Sequence, residues 1–413
     1  MISVKNAKEI IQQNTLDFGT ENIPFMESVG RILKENILAD RDFPPFNRVS
    51  MDGIAINYLH FENGKRSFKI EGIQPAGSEK LTMLNSENCI EVMTGAVLPN
   101  NCDTVIRYED VIIKNGIAKI TIDTINANQN VHPKGKDKLQ NDVLIHKNTL
   151  ISSAEIGVIA TVGKSTVKVA KQPKVIIIST GDELVDVNEN PLDYQIRKSN
   201  VYTLVSLLKE LHIPSEIVHI TDSKSILKEK ISNYLQEYDV LLCSGAVSKG
   251  KFDFLPEVFT ELGVNKLFHK VAQRPGKPFW FGRIASLGIS EQDLYPELKK
   301  NDVIVFAFPG NPISTFVNCL VYFYDWYYKS IGNKEDKQFA VLSENIIFKP
   351  NLTYFLQVKL ENVNAQILAT PIKANGSGDL ASLVNADGFI EIPATEQINF
   401  KKGTIFPVIR YKK

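Results

Sequence analysis

The chain has 413 residues, room for two to four domains of roughly 100–200 residues each. Its 43% apolar and 23% charged residues are those of an ordinary soluble globular protein. Forty-seven basic residues balance 47 acidic ones, which excludes a global field for nucleic acid or an anionic membrane, so any charge-based function must be local.

The N-terminal stretch MISVKNAKEIIQQN has no apolar signal core and reads as an amphipathic helix. Residues 1–40 as a whole carry helix-like spacing at Ile10, Ile11, Leu16 and, after a break, Ile32 and Leu33. DFPPFNRVSMDG changes the pattern with two prolines. Short β-like runs then follow to about residue 145: GIAINYL, SFKIEGI, CIEVMTG and DTVIRYEDVIIKNGIAKITI. Their alternation predicts a mostly antiparallel β domain. In SSAEIGVIATVG, Ser152 and Glu155 have capping-box spacing and Gly163 marks a C-terminal stop. One helical region is therefore expected to be built from both sides of a β insertion.

From residue 171 strands and helices alternate. KVIIIST, SEIVHIT, DVLLCSG and DVIVFAFPG read as strands. SNVYTLVSLLKELHI (capped by Ser199 or Asn200), SKSILKEKISNYLQEY, DFLPEVFTELG and the stretch after PGNP read as helices. That rhythm predicts right-handed βαβ units and a doubly wound sheet. The tail returns to β patterns (ENIIF, YFLQVKL, GFIEIP, TIFPVIR), and SLGISEQDLYPELKKND reads as a surface excursion. The expected fold is thus α/β multidomain. A discontinuous helical region (1–42 and 146–170) flanks a β insertion (43–145), followed by a doubly wound α/β domain (171–330) and a C-terminal β domain (331–413). Four separated cysteines (Cys89, Cys102, Cys243, Cys319) without a CxxC pair fit a reducing compartment. No apolar stretch approaches the ~18–20 residues of a membrane span, and a cytoplasmic protein is expected.

Four strands of the α/β region end in polar corners: STGDE (179–183), ITD (220–222), SGAVSKGKFD (244–253) and PGNPIS (309–314). In open α/β sheets the ligand crevice lies outside the carboxyl ends of the strands, so all four should face one crevice. Two prolines fix the shape of the PGNP elbow, and Gly310 allows close backbone approach. Asp182, Glu183, Asp222 and Asp253 fall at or just past strand ends. Carboxylates there can hold a hard cation such as Mg²⁺, which takes one or two of them plus ligand phosphates. Lys277 in QRPGKP supplies a point charge suited to a phosphate, and Gly-rich turns supply N–H groups. Together these favour phosphate or phosphoanhydride chemistry.

Two other motifs are decoys. TVGKSTV lacks the earlier glycine of a phosphate-binding loop and runs helix into strand, while GSGDLA (376–381) lies outside any βαβ unit. The six histidines lack metal-ligand spacing; His212 ends a helix and His219 sits in a strand. In the β region, VSMDG and MTG are sharp turns, and Asp52 either caps its turn or touches a ligand. HPKGKDKLQND, which holds Asp137, is a basic loop segment.

The combination of SMDGIAI, MTGAVLP, DTVIRYED, KGKD, IISTGDEL, SGAVSKGKFDF, RPGKP and FPGNPIS, closing with GSGDLASLVNADGFIEIP, resembles the molybdopterin molybdenumtransferase or MoeA family, whose animal counterpart is the gephyrin C-terminal region. The motifs occur in order over essentially the whole chain. The resemblance implies the last step of molybdenum cofactor synthesis: molybdate and adenylylated molybdopterin enter, the phosphoanhydride is cleaved, and AMP leaves. It implies an elongated homodimer whose site is shared between the α/β domain of one subunit and the β insertion of the other, with molybdopterin adenylyltransferase as upstream partner. Carried over, Glu183 and Asp253 would serve Mg²⁺ and the pyrophosphate. Lys277 would neutralise phosphates, Asp222 fits a further family acid, and Asp52, Thr94 and Asp137 would complete the site from across the dimer. Candidate substrate contacts are Ser50 in the insertion; Gly181, Asp182, Ser244, Gly245, Ser248 and Gly250 in the first corners; and Pro275, Gly276, Pro309, Gly310, Asn311, Pro312 and Ser314 farther on. An adenylyltransferase of related fold would normally be the α/β domain alone, and a scaffold that binds peptides would not need the acids and Lys277. The chain departs from the family at Ala246, in SGAVS for SGGVS, and at Ile54, where a tyrosine is usual. Alanine at 246 fits only with a negative φ or an absorbed left-handed cost.

Overall fold

The computed structural model describes residues 1–247, 253–284, 302–333 and 337–412. The chain opens with the helix Val4–Gln13, capped by the Ser3 side chain on the Asn6 N–H and burying Val4, Ala7 and Ile11. Beyond it, the helix expected over residues 1–40 gives way to strands. Thr20–Pro24 pairs antiparallel with Thr166–Ala170, and Ile37–Leu38 with Val143–Ile145. The partners lie more than a hundred residues away, so local spacing cannot reveal the pairing. Leu33, Ile37, Ile145, Ile151, Ile159, Val167 and Val169 form one small core that clamps the base of residues 43–145. The helix Ser153–Thr161 carries the expected capping box, with the Ser152 N–H donating to Glu155 Oε2 at 2.8 Å and Ala154 N–H to Ser152 Oγ at 3.2 Å. Lys164 pairs with Glu35 at 2.7 Å, a structural role.

Between these clamps lies a six-stranded sheet. Gly53–Ile56 runs antiparallel to Cys89–Val92 and to Thr104–Arg107, while Ser67–Gln74 is parallel to Cys89–Val92. The run GIAINYL is only half strand: Asn57 Oδ1 accepts from Leu59 N–H and starts the short helix Tyr58–Glu62. Gly53 is obligatory, since a Cβ there would stand 1.8 Å from the Ile106 carbonyl oxygen.

The central sheet has the spatial order Ser215–Ile220, Val175–Thr180, Val240–Ser244, Val303–Phe308, Trp280–Ile284, Asn265–His269. The first four strands are parallel and the last two antiparallel; this antiparallel edge is not among the strands read from the sequence. Alternate strand residues face two cores. Ile177, Leu242 and Phe306 pack against the helix Asn200–Glu210 and the final long helix. Ile178, Cys243 and Val305 pack against Lys224–Glu237 and Leu255–Glu261. Helices on both faces make the sheet doubly wound. The long helix is not uniform: Pro312–Asn318 and Tyr324–Ser330 are joined through a π-helical Cys319–Phe323.

In the tail, Thr353–Val363 pairs with both Gln366–Pro371 and Gly388–Ile392, and Gln338–Leu342 with Ile405–Arg410 closes the circuit. The five strands form a small barrel around Val358, Ala369, Ile390 and Val408. Among the described residues no helix is long and apolar enough to cross a membrane.

Candidate active site

The parallel strands all exit on one side of the sheet, and their corners surround a cavity of about 610 Å³. Gly181, Glu183, Asp222, Ser244, Gly245, Asp253, Pro309, Gly310, Asn311 and Pro312 line it. The PGNP elbow is held from within: Thr315 Oγ1 donates to the Pro309 carbonyl at 2.6 Å, and the Thr315 N–H to the Asn311 carbonyl at 3.0 Å. The Asn200 side-chain amide donates to Ser244 Oγ at 2.9 Å and to the Gly310 carbonyl at 2.7 Å. One amide therefore ties the SGA corner, the PGNP elbow and the start of a helix together. Gly245 adopts φ +105°, and a Cβ there would stand 3.1 Å from both the carbonyl and hydroxyl oxygens of Thr180. Ala246 adopts φ +52°, so the second condition holds and the left-handed cost is absorbed by the corner.

The wall is electrostatically unbalanced. Burial, followed by the charge of Asp182 and then of Glu183 and Asp253, raises the Asp222 carboxyl above its ordinary value; a hydrogen bond with Asp182 opposes the rise. Asp182 does not itself line the cavity; its carboxylate accepts from the Asp222 N–H at 3.1 Å. Behind the wall, Ser179 Oγ meets His219 Nδ1 at 2.9 Å. Burial and the nearby Lys198 hold that imidazole below its ordinary value, against the opposing charges of Asp182 and Glu183. Thr180 lines the cavity, and its buried hydroxyl has no hydrogen-bond partner among the described residues. Among the described residues no three His, Cys, Asp or Glu side chains converge as a preformed metal centre. Hard oxygen donors that crowd one another remain suited to Mg²⁺ shared with ligand phosphates.

Other candidates stand elsewhere. Lys277 is exposed on its turn and does not line the cavity. Pro275 and Gly276 are anchored from behind, their carbonyls accepting from Gln273 Nε2 at 2.8 Å and Asn318 Nδ2 at 3.2 Å. Ser314 is buried in the first turn of its helix. Ser248 and Gly250 lie outside the described residues, as does the excursion after Ile284 apart from Asp302. Arg197, Lys198 and Asn200, which sequence reasoning passed over or used only as a cap, do line the cavity. A run RKSN at the mouth of a helix that follows a corner was the available cue. Gly378, in the discarded GSGDLA stretch, lines it too, carried there by the Ile313 N–H donating to the Ser377 carbonyl at 3.1 Å.

The insertion has its own cluster. Asp52 Oδ1 accepts from the Thr94 N–H at 2.6 Å, and these Thr94 bonds hold the exposed Asp52 carboxyl below its ordinary value. The Ser50 N–H donates to the Asn130 carbonyl at 3.0 Å, and Asp137 meets His132 Nε2 at 2.8 Å. Asp52 therefore ties its own turn to the MTG turn 42 positions away. None of these residues lines the α/β cavity.

A doubly wound domain with an acid-lined cavity at its strand ends, together with a clamped β insertion and a terminal barrel, defines a multidomain α/β architecture. Residues 2–163 match the MoeA N-terminal region (domain I and II), 176–324 a probable molybdopterin binding domain, and 340–411 the MoeA C-terminal region (domain IV). The molybdopterin molybdenumtransferase of Synechocystis sp. is 39% identical over 414 residues, 98% of this chain and 99% of that protein. The molybdopterin molybdenumtransferase of Staphylococcus epidermidis is 30% identical over 418 residues, 99% of this chain and 95% of that protein. A crystal structure of the molybdopterin biosynthesis moeA protein from Pyrococcus horikosii superposes with a TM-score of 0.82 at 29% identity, covering 100% of both chains. The chain belongs to the molybdopterin molybdenumtransferase family, transferases of molybdenum cofactor biosynthesis.

Proposed function

We propose that this chain inserts molybdenum from molybdate into adenylylated molybdopterin, cleaving the phosphoanhydride and releasing AMP. The observation that carries the reading is the convergence of the strand-end corners, with Glu183, Asp222 and Asp253, on one cavity. In this reading Glu183 and Asp253 would hold Mg²⁺. When bound, Mg²⁺ screens the phosphoanhydride oxygens and the charge that develops as the bond breaks. The corners 179–183, 244–247 and 309–312 would cradle the substrate with their backbones, and Asp222, whose carboxyl is raised by burial and then by Asp182, can hold or pass a proton. Lys277 would reach the phosphates from its turn.

The exposed Ser50, Asp52, Thr94 and Asp137 do not line this cavity. We assign them to the site of a second subunit in a homodimer. The working division of the chain is 1–42 with 146–170, then 43–145, 171–330 and 331–413. A molybdopterin adenylyltransferase would hand over the substrate in the cytoplasm.

The test is AMP release from adenylylated molybdopterin with Mg²⁺, with and without molybdate, for wild type and Asp253→Ala. Molybdate-dependent release that collapses in the variant is expected. No release by a well-folded wild type would sink the enzymatic reading and favour a binding role.

A further inference from the structure

The substrate of the proposed reaction carries phosphates, molybdate is an oxyanion, and without a bound cation Glu183, Asp222 and Asp253 repel both. Among the described residues lining the cavity, the cationic ones are Arg197 and Lys198. Arg197 is exposed and gives its Nε–H to the Glu189 carbonyl at 3.0 Å, whereas the Lys198 side chain is 14% exposed. We propose that Lys198 is an oxyanion-binding residue of this cavity, taking either the phosphate that leaves on AMP or the molybdate. The proposal rests on the function argued above.

Position supports it first. Leu184–Val185 and Ile196–Arg197 form a short parallel ladder. The Ile196 N–H donates to the Glu183 carbonyl and the Lys198 N–H to the Val185 carbonyl, each at 2.9 Å. The backbones of the acid Glu183 and the cation Lys198 thus belong to one small rigid unit. The charges of Lys198, Asp182 and Glu183 all bear on the His219 imidazole behind the wall.

The ammonium is also pre-oriented. It pairs with Asp186 at 3.3 Å, and the lysine side chain is 14% exposed against 46% for the aspartate. Asp186 is fixed in turn by Tyr202 Oη at 2.9 Å and the Val187 N–H at 2.8 Å. An ammonium has three donors, so one anchored carboxylate fixes it without exhausting it. A lysine serving only a surface ion pair has no need of a place in the cavity wall. Lys277, the cation expected from the sequence, is exposed and does not line the cavity.

The experiment titrates AMP and sodium molybdate separately, by calorimetry at two salt concentrations, into wild type, Lys198→Met, Lys198→Gln and Lys198→Arg, alongside the AMP-release assay. Either neutral variant should lose about tenfold or more in affinity for one of the two anions, with a flatter salt dependence, while Lys198→Arg keeps most of it. The affected anion identifies the occupant. A merely structural lysine would lower the melting temperature and leave both affinities of the folded protein unchanged, which would overturn the proposal. Wild type that releases AMP beside equally active, equally tight-binding neutral variants sinks the lysine alone. Wild type that binds neither anion and releases nothing sinks the function on which the proposal rests.

Discussion

At the strand ends of the α/β domain, Glu183, Asp222 and Asp253 share one cavity, whereas Ser50, Asp52 and Thr94 gather on exposed turns of the insertion, outside that cavity. The first cluster follows from topology: parallel strands joined by helices must release their chains on the same side. The second follows from register, because Gly53 stands opposite Val92 in an antiparallel pair and thereby sets Asp52 beside Thr94. A cluster made by topology is complete within one chain. A cluster made by register is a local brace, and it becomes functional only if another surface meets it.

The largest expected effects test that contrast directly. Asp253→Ala and Asp52→Ala should each lower AMP release by about two to three orders of magnitude if both clusters serve one reaction. Mixed in equal amounts and allowed to exchange, the two inactive variants should recover about a quarter of wild-type turnover, because half of the dimers would own one intact shared site. Mixing that restores nothing would break the shared-site reading. An active Asp52→Ala would reduce Asp52 to the brace on the Thr94 turn that it already is in this structure.

A smaller effect sharpens the account of the first cluster. Asn200→Ala removes the amide that bonds Ser244 and Gly310. About tenfold should be lost in kcat/KM, as for one good hydrogen bond to a preorganised site. Ser244→Ala should cost less, and the double variant less than the sum by roughly 1 kcal/mol, since the two side chains share a bond. Additive losses would mean that Asn200 acts through the PGNP elbow alone.

That amide also shows where sequence reasoning stopped. The corners were legible because Gly, Pro and Asp punctuate strand ends, and the α/β rhythm gave the order in which they meet. Asn200 was legible only as a helix cap, since its partners lie 44 and 110 positions away. The strands Thr20–Pro24 and Ile37–Leu38 escaped for the same reason: their partners sit across the insertion. Lys277 was placed by its motif beside a turn, yet a sequence does not say which way an exposed turn aims its side chain. Lys198 stood unremarked because its neighbour on the short ladder, Val185, belongs to a different corner.

A pH measurement probes the crowding of the acid wall. Burial and then Asp182 raise the Asp222 carboxyl, so the folded chain holds its proton where the unfolded chain has lost it. Stability contributed by this group is therefore highest below the ordinary carboxylate range and falls as pH rises through the raised value. Asp222→Asn should remove that slope and lift the melting temperature at neutral pH by about 1–3 °C, while lowering AMP release. Thermal unfolding between about pH 4 and 8 reads it. An unchanged slope would show that the carboxylates do not crowd one another in solution.

The smallest effect concerns the residue that breaks the glycine pattern of the SGA corner. Ala246 holds φ +52° beside Gly245 at φ +105°, a region where a Cβ costs about 1 kcal/mol. Replacing it by glycine relieves that strain but frees the unfolded chain, which takes back roughly 0.4–1 kcal/mol. It also removes a methyl packed against the core that contains Ile178 and Cys243. The opposing terms leave Ala246→Gly within about 0.5 kcal/mol of wild type in stability. The kinetic readout discriminates more sharply, because Ala246 also lines the cavity. If it narrows the space beside Gly245, the glycine variant should change KM while kcat stays within about twofold. A large gain in stability would instead mean that the corner, unlike the brace of the insertion, stores strain that only the bound substrate offsets.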